Sequence, residues 1–442
     1  MIQDKNTQVY HDIIKLIQEN QYKLNQKLPS CRVLAKSLGV NKLTVQKAYK
    51  KLEQNHMVYA VERGGYYLTR TFEVESNTVV YTDFTRVIPE NNMVPYTLFL
   101  SAMESAMVQY KNTLLHLGDI QGLTSLRDLL AKLYEEDGIY VKKEQIMITN
   151  GIQQGIYLIF QLLFGDRQKT LLMENPTYSL ALELAVSMGI TVETIERKVD
   201  GYDLKKLETL FKREDITAFY LIARHHNPTG YSLDEPIKRE IVTLANAYNV
   251  TLIEDDYLAE LAPKKRQMPL IYYNLGEQHF YLRGFSKTFI PGIRIGAMIF
   301  PKIYSDTLKH LKHINDLGTS KTNQAALEVF IKSGMYEKHI QKIRKHYTQK
   351  MAKAKAIFKE DKNINETKGV QWHVPEGGIF IWGEFEETVQ VDAIIEQLRA
   401  EGILLKEGSS FGSQKKCIRI SLISVPIHDV EKLKRVRVLF EA

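Results

Sequence analysis

Lys287 stands in Phe285-Ser286-Lys287-Thr288 at the end of a short apolar run. Arg294 follows in Pro291-Gly292-Ile293-Arg294-Ile295-Gly296. A lysine at a strand end in a partly apolar site has a destabilised ammonium, which frees the amine to form a Schiff base with a carbonyl cofactor. A nearby arginine can clamp a phosphate with two parallel hydrogen bonds. Three further groupings suit the same chemistry. Thr149-Asn150-Gly151-Ile152-Gln153-Gln154 ends a strand and opens a helix, turning free backbone N–H groups toward an anion. Ile253-Glu254-Asp255-Asp256-Tyr257 is a strand ending in carboxylates, one of which can pair with a pyridinium nitrogen. Asn227-Pro228-Thr229-Gly230 closes another strand with an amide able to bond a phenolate oxygen.

Taken singly these are common surface patterns, so their force depends on the elements that carry them. Short apolar runs at 145–149, 170–173, 217–223, 251–254 and 280–282 read as strands, with amphipathic segments such as Leu233 to Tyr248 between them. That alternation predicts an α/β fold with a largely parallel sheet covered by helices, whose ligands gather at strand ends. The polar, β-branched stretch 71–80 predicts a short linker between a small module at 1–70 and a large domain at 81–442.

The 442 residues are 44% hydrophobic and 25% charged, the balance of an ordinary globular protein. No apolar run approaches the ~20 residues that cross a bilayer. The first residues lack the apolar core of a secretory signal. Cys31 and Cys417 are too few for a disulfide framework or a Cys-rich zinc site, and no metal site is expected. These features predict a cytoplasmic protein without membrane partners. Residues 1–70 hold nine Lys and three Arg against two Asp and three Glu, a surplus that equals the whole formal net charge of +7. Such a concentration is the footprint of a module that meets a polyanion.

The pattern of that module is helical. Val9, Tyr10, Ile13, Ile14, Leu16 and Ile17 recur on one face of a helix over 7–20. Ser30 can cap a second helix, 31–38, with Val33, Leu34 and Leu38 inward; Gly39 breaks it, and Asn41 caps a third over 42–54. The third helix turns Lys42, Thr44, Gln46, Lys47 and Lys50 outward, groups able to bond phosphates and base edges. A hairpin with Arg63 at its tip follows, suited to a minor groove or a phosphate.

The segment PSCRVLAKSLGVNKLTVQKAYKKLEQNHMVY resembles the winged helix-turn-helix of the GntR superfamily of bacterial regulators. The resemblance implies that Arg32, Lys42, Thr44, Gln46 and Arg63 contact double-stranded DNA. Asn-Pro-Thr-Gly, then Glu-Asp-Asp-Tyr, then Ser-Lys-x-x-x-Pro-Gly-x-Arg-x-Gly resembles the fold-type I aminotransferases, which bind pyridoxal 5′-phosphate (PLP), over about residues 81–442. It implies that Lys287 forms the internal aldimine, that Asp255 bonds the pyridine nitrogen, and that Asn227 and Tyr257 bond the phenolic oxygen. Tyr178 would stack on the ring; the amides of Gly151, Ile152 and Gln153, the Ser286 hydroxyl and Arg294 would hold the phosphate. Arg419 would take a substrate or effector carboxylate. The two halves together resemble the MocR/GabR-type transcriptional regulators. That resemblance implies a homodimer, with each DNA-binding module packed on its partner's large domain, that senses an amine, an amino acid or PLP itself.

Three positions depart from the aminotransferase pattern. Leu117 stands where related domains place a Tyr, Gly284 where a Ser is common, and Val87 where a Gly lets the backbone approach substrate. These changes spare aldimine formation and make any transaminase activity slow or partial, secondary to regulation.

Overall fold

The computed structural model describes residues 5–19, 22–23, 25–54, 57–61, 64–69, 81–165, 169–199, 201–262, 267–274, 278–359 and 369–442. The chain divides into two compact units, Met1–Val80 and Tyr81–Ala442. The expected linker and the hairpin-tip residue Arg63 lie outside the described residues.

In the small unit, α1 (Lys5–Glu19), α2 (Cys31–Ser37) and α3 (Lys42–Gln54) precede a hairpin of β1 (Val58–Val61) and β2 (Gly65–Leu68). Val9, Ile13 and Ile17 of α1 pack with Leu34, Val45, Tyr49 and Leu52 into one core. The helix starts are capped as their sequences require: Ser30 Oγ accepts from Val33 N at 3.4 Å and Asn41 Oδ1 from Leu43 N at 2.9 Å. Tyr49 ties the unit together, stacking on Tyr66 at 4.3 Å and donating its hydroxyl to Pro29 O at 2.6 Å. Val33, expected inward, is 60% exposed. It precedes the buried Leu34 by about 100° of helix rotation, and seven residues are too few for apolar spacing to define a face.

In the large unit, β3 (Thr82–Asp83) leads into β4 (Ile146–Thr149), β5 (Thr170–Asn175), β6 (Thr191–Glu196), β7 (Ile216–Leu221), β8 (Thr251–Asp256), β9 (His279–Gly284) and β10 (Gly296–Ile299). The last seven form one sheet in the order β4-β10-β9-β8-β7-β5-β6. Strands β5 to β9 are parallel; β10 is antiparallel to both neighbours, so the sheet is mostly and not wholly parallel. Because β4 is antiparallel to β10, it points the same way as the parallel set, and its C-terminal end joins theirs. Residues alternate between the faces: Met147 and Leu282 pack in one cluster, Ile146, Ile148 and Tyr281 in the other. Strands covered on both faces carry the near-continuous apolar runs from which they were expected. β6, Thr-Val-Glu-Thr-Ile-Glu, escapes that expectation because it is an edge strand with Thr191 and Glu196 exposed.

A second, antiparallel sheet has the order β11-β12-β15-β14, built from β11 (Val370–His373), β12 (Phe380–Phe385), β14 (Lys406–Glu407) and β15 (Lys416–Ser421). The intervening β13 (Ile403–Leu404) pairs with β3 in parallel.

Candidate functional site

In the small unit, Arg32, Lys42 and Gln46 are exposed and Thr44 is half-buried; Lys47 and Lys50 are also exposed. Val45, Ala48 and Tyr49 face the core, so α3 offers its polar face outward. Leu43 is 64% exposed on the same helix, an apolar group that the polar pattern did not single out.

In the large unit, the C-terminal ends of β4, β5, β7, β8 and β9 converge on a cavity of about 460 Å³. Its lining includes Ile152, Gln153, Tyr178, Asn227, Asp255, Tyr257, Ser286, Lys287, Arg294 and Arg419. Gly151, at the N-cap of the helix Ile152–Leu163, lies beneath it with φ of +77°, a conformation that favours glycine. A Cβ there would sit 2.8 Å from Arg294 Nη2. Its absence lets the guanidinium close over the helix start and donate to Asn150 O at 3.2 Å. Gly296 serves the same approach from below, since a Cβ on it would lie 2.7 Å from the Gly151 carbonyl carbon. One end of the cavity is therefore an anion cradle of helix N–H groups and an arginine.

Strand alternation separates the two carboxylates of β8. Asp256 turns away from the cavity toward Arg224 and accepts from Tyr281 Oη at 2.6 Å. Burial opposes its ionisation, but the Arg224 guanidinium and these hydrogen bonds prevail and hold its carboxyl below the usual range. Asp255 faces the cavity; Oδ2 accepts from Tyr220 Oη at 2.7 Å, and Oδ1 is buried without a partner. Burial pushes this carboxyl up to about 7, against the pull of the Tyr220 hydrogen bond. A buried acceptor left bare is costly, so Oδ1 is shaped for a donor from a ligand.

Lys287 Nζ donates to Val87 O at 2.7 Å. Burial, with the positive charges of Arg419 and Arg294, brings its ammonium down to about 8. Arg419 projects from β15 between two rings, its guanidinium carbon 4.6 Å from the centre of Phe380 and 4.7 Å from that of Phe411. It donates to Asn227 Oδ1 at 3.1 Å and Thr85 O at 2.7 Å, and its Nε is buried with no partner. No carboxylate pairs with it among the described residues. Burial lowers it to about 10, with Tyr257 opposing. Tyr257 Oη donates to His225 O at 2.7 Å, and Tyr178 begins the helix Ser179–Ser187 after β5.

The array suits a flat ligand with an anion at one end, a protonated ring nitrogen at the other and a carbonyl within reach of an amine, beside a second carboxylate-bearing molecule. The three departures have distinct surroundings. Val87 lines the cavity. A Cβ on Gly284 would meet Ile152 Cδ1 at 2.9 Å, so this chain fills with Ile152 the place where a Ser is common. Leu117 is 82% exposed. Sequence reasoning also passed over Tyr220, Lys406 and Phe411, which reach the site through strand register and loop packing and carry no local motif. A separate polar cleft of about 600 Å³ is lined by Arg197, Lys415 and His373, but each has a carboxylate at hand: Glu174, Glu196 and Glu384 respectively. Among the described residues, no group of His, Cys, Asp and Glu could hold a metal ion, and no helix is long and apolar enough to cross a membrane.

The model of the family "Aminotransferase class I and II" matches residues 76–436, and that of "Bacterial regulatory proteins, gntR family" matches residues 5–68. Among curated proteins, the chain is 32% identical to the uncharacterized HTH-type transcriptional regulator YcxD of Bacillus subtilis, over 95% of this chain and 96% of that one. It is 25% identical to the HTH-type transcriptional regulator NorG of Staphylococcus aureus, over 89% and 95%. Among solved structures, it resembles the kynurenine aminotransferase of Pyrococcus horikoshii in complex with PMP, with a TM-score of 0.76 and 25% identity over 84% of this chain and 95% of that one.

Proposed function

This chain belongs to the aminotransferase class I and II family and carries a gntR-type regulatory module at its N-terminus; from that premise we propose that it is a transcriptional regulator whose large unit holds PLP and senses an amine or amino acid at Lys287. When bound, PLP supplies an aldehyde that condenses with primary amines and a ring that withdraws electrons from them. Arg294, the Ser286 hydroxyl and the amides of Gly151, Ile152 and Gln153 would hold its phosphate. Asp255 would accept from the ring nitrogen, Asn227 and Tyr257 would face the phenolic oxygen, and Tyr178 would cover the ring. The observation that carries the reading is Arg419, a guanidinium 5% exposed with no carboxylate partner among the described residues, set in the cavity that also contains Lys287. A buried cation without a counter-ion is a site for an anionic ligand.

For the sensing to reach DNA, the effector must bind two conformations with different affinity. Arg32, Lys42, Thr44 and Gln46, with Arg63, would contact an operator. The exposed apolar residues Tyr96, Val108, Leu115 and Leu117 support a homodimer of the large unit, in which Leu117 reaches the partner. A domain-swapped arrangement, a boundary at 70 and 80, and a cytoplasmic setting belong to the same reading. The test is the visible absorption of the PLP-loaded protein during titration with amines, read beside its affinity for a DNA fragment selected from a random pool. A band that shifts, persists and changes DNA affinity supports a sensor; no response to any amine overturns it.

A second reading, a working aminotransferase, has one observation in its favour. Lys287 has an amine basic enough near neutral pH to carry a proton between atoms of a bound substrate. Loss of the band on adding an amino acid, with recovery on adding a keto acid, would make catalysis primary. Val87, Leu117 and Gly284 argue that such turnover is slow.

A further inference from the structure

We infer that the ligand sensed at this cavity is an amino acid with a second anionic group on its side chain, and that Lys406 selects for that group. The inference rests on the PLP-sensing reading and names its ligand class. Four cations line the cavity: Lys287, Arg294, Arg419 and Lys406. The one acid among its lining residues is Asp255, which the ring nitrogen of PLP would occupy. With Arg294 to hold the phosphate and Lys287 to meet the aldehyde, Arg419 and Lys406 would remain for a second ligand in the same cavity.

The two are placed together by register. β14 pairs with β15 so that Lys406 lies directly opposite Arg419. Directly opposed residues of antiparallel strands project from the same face, with Cβ atoms about 4.5–5.5 Å apart. Arg419 projects into the cavity, and Lys406 therefore projects beside it. Glu407, next along the strand, is opposite Ile418 and faces the other way. Among the described residues Lys406 Nζ has no hydrogen-bond or ion-pair partner. An α-carboxylate on Arg419 leaves the Lys406 ammonium on the same wall without a counter-ion. A dicarboxylic amino acid offsets both.

The test is a titration of the PLP-loaded protein, followed by its visible band, with L-glutamate and L-aspartate against L-glutamine and L-alanine. Glutamine matches glutamate in shape and lacks the second charge. Glutamate or aspartate should bind at least about tenfold more tightly than glutamine. Lys406→Met should abolish that preference while changing alanine affinity by no more than about twofold, and Lys406→Arg should keep it. Lys406→Glu should turn the preference toward L-lysine. Equal affinity for glutamate and glutamine in the unmodified protein, or equal losses for both in Lys406→Met, overturns the inference while leaving the sensor intact. A protein that loads PLP and responds to none of these four amino acids overturns the ligand class, and one that responds to no amine of any kind overturns the sensing reading with it.

Discussion

Tyr220 and Asp255 occupy neighbouring strands, and the phenol of one donates to Oδ2 of the other at 2.7 Å, leaving Oδ1 bare and turned to the cavity. The hydroxyl thus determines which carboxylate oxygen a ligand meets. It also opposes the burial that pushes Asp255 up to about 7.

That elevation has a sign that can be checked in the PLP-free protein. The native state binds more protons at Asp255 than the unfolded chain between about pH 4 and pH 7, so this group's contribution to stability falls as pH rises through that window. Asp255→Asn keeps an acceptor for Tyr220 and removes the ionisation. Relative to the unmodified protein it should gain stability between pH 5 and pH 8, on the order of 1–3 kcal/mol, by thermal melts across that range. Parallel melting curves at every pH would refute the buried carboxylate.

Lys287 must lose its proton before it attacks a carbonyl. With its ammonium brought down to about 8, first by burial and then by Arg419 and Arg294, PLP attachment should accelerate roughly tenfold per pH unit below 8 and level above it. Stopped-flow absorbance measures this directly. Lys287→Ala should show no lysine-linked band at any pH, and in Arg419→Met the break should move to higher pH.

Arg419→Met keeps an apolar stem between Phe380 and Phe411 and removes the cation. Amines without a carboxylate should bind the loaded variant as before, whereas amino acids should lose about a hundredfold in affinity, close to 3 kcal/mol. Spectral titration with methylamine and L-alanine distinguishes the two classes. Equal losses for both would remove Arg419 from carboxylate recognition.

On the small unit, Lys42→Ala should weaken DNA binding uniformly across sequences and reduce the slope of log affinity against log salt by about one. Gln46→Ala should instead relax preference at one base position, with a cost of about 1–3 kcal/mol. Fluorescence anisotropy at several salt concentrations, on a selected site and on its single-base variants, distinguishes these effects.

How much of this is legible in the chain depends on whether the information is local. Lys287, Asp255 and Asn227 are readable because each stands in a short motif at or just after the end of an apolar run, and a strand end is where an α/β sheet keeps its ligands. The adjacency of Asp255 and Asp256 leaves the choice open in sequence; the pleat resolves which one faces the cavity, because neighbours on a strand point to opposite faces. Tyr220 and Lys406 are invisible to motif and spacing: one meets Asp255 across a parallel pair, the other lies opposite Arg419 across an antiparallel one, and strand register alone brings each to its neighbour. Val33 misleads because a helix of seven residues has too little periodicity to mark its inner side. Arg63 and the stretch 71–80 fall outside the described residues.

Two of the cavity's cations rest on one short piece of backbone. Lys287 donates to the carbonyl of Val87 and Arg419 to that of Thr85, in the segment that continues from Tyr81, where the large unit begins. These bonds hold the segment through the same two groups that the proposed ligands would engage. A cofactor that engages the Lys287 amine takes the donor from Val87, and a carboxylate that engages Arg419 competes for the donor to Thr85. Occupancy would then loosen the segment Thr85 to Val87. Hydrogen exchange at Phe84 to Val87 should quicken on loading and quicken again with effector; unchanged protection there would mean the segment is held whether or not the cavity is filled.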